Sequence, residues 1–286
     1  MRICGQDFNL EIINKINLIV DANPSISMLK LSREVCEWMN WRGLNGNLKE
    51  MSCKKALLRL QRKGIVKLPI SDKEYAFQRR TSSITIDSKE FCGVCCDIKE
   101  LGEIEISLVS NRQDSSLWNE MMERYHYLGK GPLCGAQIRY LVKSSIYGWL
   151  GGIAFSAGIW SLKERDKWIG WSEEARVENL PKVICNSRFL ILPTVQVKNL
   201  ASHVLSKSIK KLGTDWDGRY GYKPVLVESF VDPERFKGIC YRAANWVHIG
   251  NTSGRRDKER ESKETEGKKQ IYVKPLEKGW RQAVTE

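Results

Sequence analysis

Between Val225 and Arg256 the chain reads V-L-V-E-S-F-V-D-P-E-R-F-K-G-I-C-Y-R-A-A-N-W-V-H-I-G-N-T-S-G-R-R, and no other stretch restricts its fold as much. An apolar strand closes on acidic residues, a short helix carries Tyr241, and a second strand leads into paired arginines. Glu228, Asp232, Tyr241 and Arg255 therefore stand near element ends, where a rigid scaffold presents reactive groups.

With 286 residues, 42% of them hydrophobic, the chain can bury a real core, and its length suits one large domain beside a small one. No apolar run approaches the roughly 20 residues that cross a bilayer, and the N-terminus lacks the pattern of a secretory signal. The expectation is a cytoplasmic protein with no membrane partner. Nine scattered cysteines fit reduced, buried thiols better than a disulfide framework. A formal net charge of +13 is the stronger constraint, because a basic surface attracts phosphate backbones through counterion release. DNA is the leading partner on this ground.

Helical spacing of apolar residues predicts helices over Phe8–Val20 and Ser27–Trp41, and a third over Leu48–Lys63 after the turn G-L-N-G. The third carries Met51, Leu57, Leu58 and Leu60 on or near one face, with Lys54, Lys55, Arg59, Arg62 and Lys63 largely elsewhere. Gly64 stops it, and the segment 65–69, which includes Lys67, reads as a short strand. Three helices and a strand are the order of a winged helix-turn-helix, in which the last helix enters the major groove and the wing touches backbone. Residues 1–70 are thus a winged-helix-like DNA-binding domain in expectation. A protein-docking helical domain shares the pattern.

Residues 71–97 read as a polar linker. Within them Cys92, Cys95 and Cys96 form C-x-x-C-C, but a structural zinc site usually needs a second pair at matched spacing and none is visible. From residue 98 to 286 the pattern is a mixed α/β domain: a strand over Leu101–Val109, a helix over Ser115–Tyr127, then paired strands over Ile138–Val142 and Tyr147–Phe155. His126, at a helix end between two tyrosines, suits a base or a phosphate contact and equally a cap or a packing residue. The aromatic segment Trp160–Trp171 suggests tryptophans packed around an Arg165–Asp166 pair. Residues 253–270 are charged, poor in apolar side chains and expected to be a mobile loop.

The strand V-I-C-N-S-R-F-L-I-L-P-T-V and the following helix, with Leu200, Val204, Leu205, Ile209 and Leu212 at helical spacing, enclose a loop suited to an anion. At this point the order resembles the acyl-CoA-dependent N-acyltransferases of the GNAT superfamily, over roughly residues 100–252. Their pyrophosphate loop Q/R-x-x-G-x-G/A corresponds to Gln196-Val-Lys-Asn199-Leu-Ala201, and their Y-x-x-x-G-F to Tyr241-Arg-Ala-Ala-Asn245-Trp246. Asn199 and Asn245 depart from the glycines preferred there. The resemblance implies a GNAT-like fold, acetyl-CoA as cofactor, Tyr241 as the acid for a leaving thiolate and Glu228 as the base for an amine.

The whole pattern has a closer likeness. L-S-R-E-V-C-E-W-M-N-W, R-Y-H-Y-L-G, R-D-K-W-I-G-W-S, N-S-R-F-L-I-L-P, V-K-N-L-A-S, E-S-F-V-D and C-Y-R-A-A-N-W-V-H-I-G-N-T-S-G-R together resemble the DruA family of the Druantia anti-phage defence systems, whose relatives also accompany mobile elements. That resemblance implies bacterial defence or mobile-element biology beside a large helicase-like partner.

Three functions are in play. The first is DNA binding through the basic helix and through Lys67, Arg188, Arg255 and Arg256. The second is a metal-dependent DNA nickase or transposase-like enzyme. Its Glu228 and Asp232, with Asp215 and Asp217 on a preceding turn, would hold Mg²⁺ while Tyr241 or water attacks a phosphate and the arginines stabilise developing charge. N-acyl transfer is the third, and acetyl-CoA ranks below Mg²⁺ as a cofactor. Homo-oligomerisation is left open.

Overall fold

The computed structural model describes residues 1–69, 93–254 and 267–286, and the chain forms two compact units, Met1–Ser82 and Ser83–Glu286. No helix among the described residues is long and apolar enough to cross a membrane.

The first unit opens with a small antiparallel hairpin of β1 (Arg2–Ile3) and β2 (Gln6–Asp7). Helices α1 (Leu10–Ala22), α2 (Met28–Trp38) and α3 (Glu50–Arg62) come next. Asn9 accepts the Ile12 N–H at 2.9 Å and Ser27 accepts the Lys30 N–H at 3.2 Å, so side-chain caps fix where α1 and α2 begin. Ile16 and Val20, Leu31 and Val35, and Ala56, Leu57 and Leu60 converge with Phe8 and Trp41 in one core. The α3 face differs from the sequence expectation: Met51 and Leu58 are 68% and 38% exposed, and Cys53 and Ala56 take the buried positions beside Leu57 and Leu60.

Two features depart from a winged helix. First, the connection from α2 to α3 is a closed loop, with an Arg42–Leu48 bridge, the Gly43 N–H on the Asn47 carbonyl and the Lys49 N–H on the Trp41 carbonyl. Second, the strand expected over 65–69 does not form among the described residues. Gly64, at φ 68°, ends α3 in a Schellman closure in which its own N–H meets the Gln61 carbonyl and the Ile65 N–H meets the Leu60 carbonyl. That closure turns the chain back onto α1, where the Lys67 N–H reaches Asn17 Oδ1 at 2.9 Å and Val66 is buried.

In the second unit a seven-stranded sheet runs in the order β10, β11, β9, β7, β6, β5, β4. Its strands are β4 (Ile104–Leu108), β5 (Gln137–Ser144), β6 (Gly148–Ala157), β7 (Val183–Ile191), β9 (Leu226–Val231), β10 (Val247–Asn251) and β11 (Gln270–Pro275). Every neighbouring pair is antiparallel except β7 and β9, which are parallel. A separate parallel pair joins β3 (Val94–Cys95) to β8 (Val195–Gln196).

Helices α4 (Arg112–Tyr125) and α7 (Leu200–Tyr220) cover the sheet. Successive side chains of a strand point to opposite faces. On β5, Arg139 donates to Asn119 and Ser115 of α4, while its neighbour Tyr140 donates to Asp215 of α7 at 2.8 Å. The two helices therefore lie on opposite faces. Asp215 and Asp217 accordingly sit inside α7 and not on a turn, because Leu212 and Trp216 extend its buried stripe past Gly213. The paired glycines of β6 mark close approach: a Cβ on Gly151 would stand 2.0 Å from the Leu190 carbonyl oxygen, and one on Gly152 would stand 3.1 Å from Trp118 and Met122.

Short helices α5 (Lys163–Ile169), α6 (Glu173–Asn179) and α9 (Gln282–Thr285) bury a second cluster around Leu180, Leu226 and Val273. Trp168 stacks on Trp280 at 4.7 Å there, whereas Trp160 is 49% exposed. The last short helix, α8 (Ile239–Ala243), carries Tyr241. Asn199, before α7, and Asn245, after α8, have φ of 64° and 59°. Asparagine tolerates this left-handed conformation better than most residues, so the backbone turn that glycine would supply is kept.

Candidate functional site

The parallel ladder of β7 and β9 runs from the Val183–Leu226 pair to the Asn186–Ser229 pair and stops there, although both strands continue. Ser187 is the extra residue of a bulge against β6, between the Phe155–Asn186 and Ala154–Arg188 pairs. A bulge bends its strand and raises the local twist. Where the strands cease to pair, a cleft of about 1210 Å³ opens, lined by both strands, the end of α4 and the segment before α8. Ligand sites of open sheets are often found where strand direction changes in this way.

Three side chains lock the point of divergence. The Tyr241 hydroxyl donates to Asn186 Oδ1 at 2.8 Å and lies 3.0 Å from the donating Ser229 Oγ. Asn186 Nδ2 in turn donates to the carbonyls of Ala154 and Arg188 at 3.1 Å each, across the bulge. The Tyr241 ring stacks on Tyr272 at 5.4 Å and meets the edge of Trp246 at 5.1 Å. Burial drives its pKa far above the ordinary phenol value, so the hydroxyl keeps its proton. The same shift makes Tyr241 a weaker acid than a free phenol, and acting as a nucleophile would require a base to take the proton first.

Glu228 lies under this network, wholly buried. It accepts from the Arg165 guanidinium at 2.9 Å and from the Ile159 N–H at 2.8 Å. Arg165 is also wholly buried and continues to Asp166 Oδ1 through Nε and Nη2. Burial pushes the Glu228 pKa up, while Arg165 and the Ile159 amide pull it back. This carboxylate ties α5 to the sheet and does not line the cleft. Asp232, just past β9, accepts the Glu234 N–H and pairs with Arg235 at 3.5 Å. Among the described residues no three His, Cys, Asp or Glu side chains gather as metal ligands.

His126 and Arg188 do line the cleft. His126 Nδ1 accepts the Leu128 N–H at 3.2 Å, and its ring stacks on Tyr127 at 5.0 Å. Burial and the nearby Arg188 charge lower its pKa to about 4, so the ring is neutral at pH 7. Arg188 directs Nε to the Gly129 carbonyl and Nη1 to that of Ser187, at 2.9 and 2.7 Å.

On the first unit, Lys54, Lys55, Arg59, Arg62 and Lys63 are all exposed, and none is in an ion pair among the described residues. Lys67 is exposed and 3.4 Å from Asp21. Arg255 and Arg256 lie outside the described residues, as do Cys92 and most of the linker and charged-loop segments. Asn186, Ser229, Arg165, Tyr127 and Phe236 belong to the site or its support without having been candidates on the sequence. A signal exists for the first two, since each is a polar residue within an apolar strand.

Residues 59–261 match the family described as Druantia protein DruA. No curated protein gives a match. Among solved structures, the dodecameric spermidine N-acetyltransferase of Vibrio cholerae in an intermediate state is 10% identical, with a TM-score of 0.40 over 60% of this chain and 94% of that one. The Vibrio cholerae spermidine N-acetyltransferase in complex with CoA and spermine is also 10% identical, with a TM-score of 0.41 over 60% and 95%.

Proposed function

The chain belongs to the DruA family, and from that premise we propose that it is a DNA-binding component of bacterial anti-phage defence. In this reading it works on DNA in the cytoplasm beside other proteins of its system, a helicase-like protein among them. One observation carries the proposal: Lys54, Lys55, Arg59 and Arg62 project from the exposed face of α3, with Lys63 at its end, and no acidic side chain among the described residues pairs with any of them. Such a row neutralises phosphates along a duplex and releases their counterions. Arg188, Arg255 and Arg256 are further contacts in this proposal. Binding of a labelled duplex by the full chain tests it: the charge reversal K54E/K55E/R59E should weaken affinity with the thermal melt unchanged. Equal affinity in the variant sinks the role of α3.

A second reading, N-acyl transfer, draws on the divergence of β7 and β9 with a protonated Tyr241 at its apex. An acyl-CoA would supply a thioester, and Tyr241 could protonate the departing thiolate. Asn199 keeps the left-handed turn of a pyrophosphate loop, but its side chain reduces the room for close approach. A rise in melting temperature on adding acetyl-CoA would support this reading. Strand cleavage gains less from the geometry, since Arg165 and Ile159 already engage the Glu228 carboxylate.

A further inference from the structure

We propose that the cleft of the second unit is a site for an unpaired nucleotide, with its base on the Phe236 ring and its phosphate on Arg188. The inference deepens the DNA-binding reading and rests on it for the source of that nucleotide.

The rings are contiguous. His126 stacks on Tyr127, and Tyr127 meets Phe236 at 5.7 Å with 54° between planes. The Arg235 guanidinium lies 5.2 Å from the Tyr127 ring. Phe236 lines the cleft yet is 51% exposed, so its ring is open to a ligand while Tyr127 supports it. Bases of any sequence stack on such rings, because every base has a π-face.

Arg188 lines the same cleft, held by Nε on the carbonyl of Gly129, whose own N–H closes a turn on the His126 carbonyl around Tyr127. Two carbonyls fix its plane through Nε and Nη1, which leaves Nη2 without a hydrogen-bond acceptor among the described residues. It pairs with no carboxylate there either. A Cβ on Gly131 would come 2.6 Å from Nη2, so glycine lets the 129–131 turn pack closely beside the guanidinium. A partly buried guanidinium held in one orientation without an anion is a ready partner for a phosphate. Ring and cation thus offer the two contacts that a nucleotide needs. A paired base cannot use them, since it is already stacked within the duplex.

Two sources supply this chemistry, a free mononucleotide and an unpaired position in single-stranded DNA. The test uses the full chain with labelled oligothymidylate, a labelled blunt duplex and unlabelled thymidine monophosphate as competitor. Phe236→Ala and Arg188→Gln should each weaken single-strand binding on the order of 10-fold, the loss of one stacked base or one charged contact, and Phe236→Ala should change duplex binding less than twofold. Phe236 is half exposed, so its variant folds even if Arg188→Gln does not, and it then decides alone. Competition by the monophosphate supports the proposal with the free nucleotide as a sufficient ligand. Absence of competition beside a weakened Phe236→Ala supports it with single-stranded DNA as the source. Wild-type single-strand affinity in Phe236→Ala overturns it. Failure of the wild type to bind duplex would instead remove the α3 reading and leave the single-strand comparison intact.

Discussion

Tyr241 donates its phenolic hydrogen to Asn186 at 2.8 Å, and this bond closes the point where β7 and β9 part. Tyr241→Phe removes the donor and leaves Asn186 Oδ1 buried with one partner fewer. A loss of about 1–2 kcal/mol is expected, which lowers the melting temperature by roughly 2–8 °C for a domain of this size. Duplex affinity should not change. In an acyl-transfer assay the same variant would lose activity well beyond its loss of stability, and full activity would exclude Tyr241 as the acid.

His126 gives the fold a pH dependence whose sign is fixed. Its folded pKa, about 4, lies below the ordinary value of 6.5, so between those values the unfolded chain binds the proton and the folded one does not. The stability tied to this ring is complete above pH 6.5 and is lost as pH falls toward 4. With a discount for partial solvent access, the loss between pH 7 and pH 5 is about 1 kcal/mol. Melting His126→Gln and the wild type at both values should show a smaller drop in the variant. Equal drops would mean that the ring is not held neutral.

Local signals make much of this architecture legible, and distant partners do not announce themselves. Apolar spacing places α1, α2 and α3 within a few residues, and the apolar runs place β5, β6 and β7. Gly64 is a true stop, yet the path of the chain beyond it depends on Asn17, 50 positions earlier, which takes the Lys67 N–H that a wing strand would have used. The end of α7 is obscured because Gly213, Asp215, Asp217 and Gly218 resemble a turn, whereas burial of Trp216 carries the helix on to Tyr220. Glu228 has the look of a reactive carboxylate at a strand end. Its partner Arg165 lies 63 positions away, and nothing local to either residue signals the pair.

The basic face of α3 predicts a salt dependence. Each neutralised phosphate adds about 0.9 to the slope of log affinity against log salt on duplex DNA. If Lys54, Lys55 and Arg59 each meet one phosphate, Lys54→Gln, Lys55→Gln and Arg59→Gln together should reduce that slope by about 2.7. An unchanged slope beside weakened binding would assign these residues to folding or to base contacts.

The Arg165–Glu228 pair separates a structural carboxylate from a catalytic one. Both side chains are wholly buried 2.9 Å apart, so removing Glu228 leaves the Arg165 charge in the core with the partly exposed Asp166 as its remaining carboxylate among the described residues. Glu228→Leu should cost about 3–5 kcal/mol, enough to lower the yield of folded protein sharply. Replacing both, as Arg165→Met with Glu228→Leu, removes the stranded charge along with its partner. Thermal stability should then recover most of the loss, since apolar replacements of a buried pair are often neutral or better. Asp166 Oδ1 would lose two guanidinium bonds in the double variant but, at 21% side-chain exposure, can be hydrated in their place. Single-strand and duplex binding should follow stability back to wild-type values. A double variant that melts like the wild type yet has lost its activity on DNA or on an acyl donor would make Glu228 a participant in that chemistry.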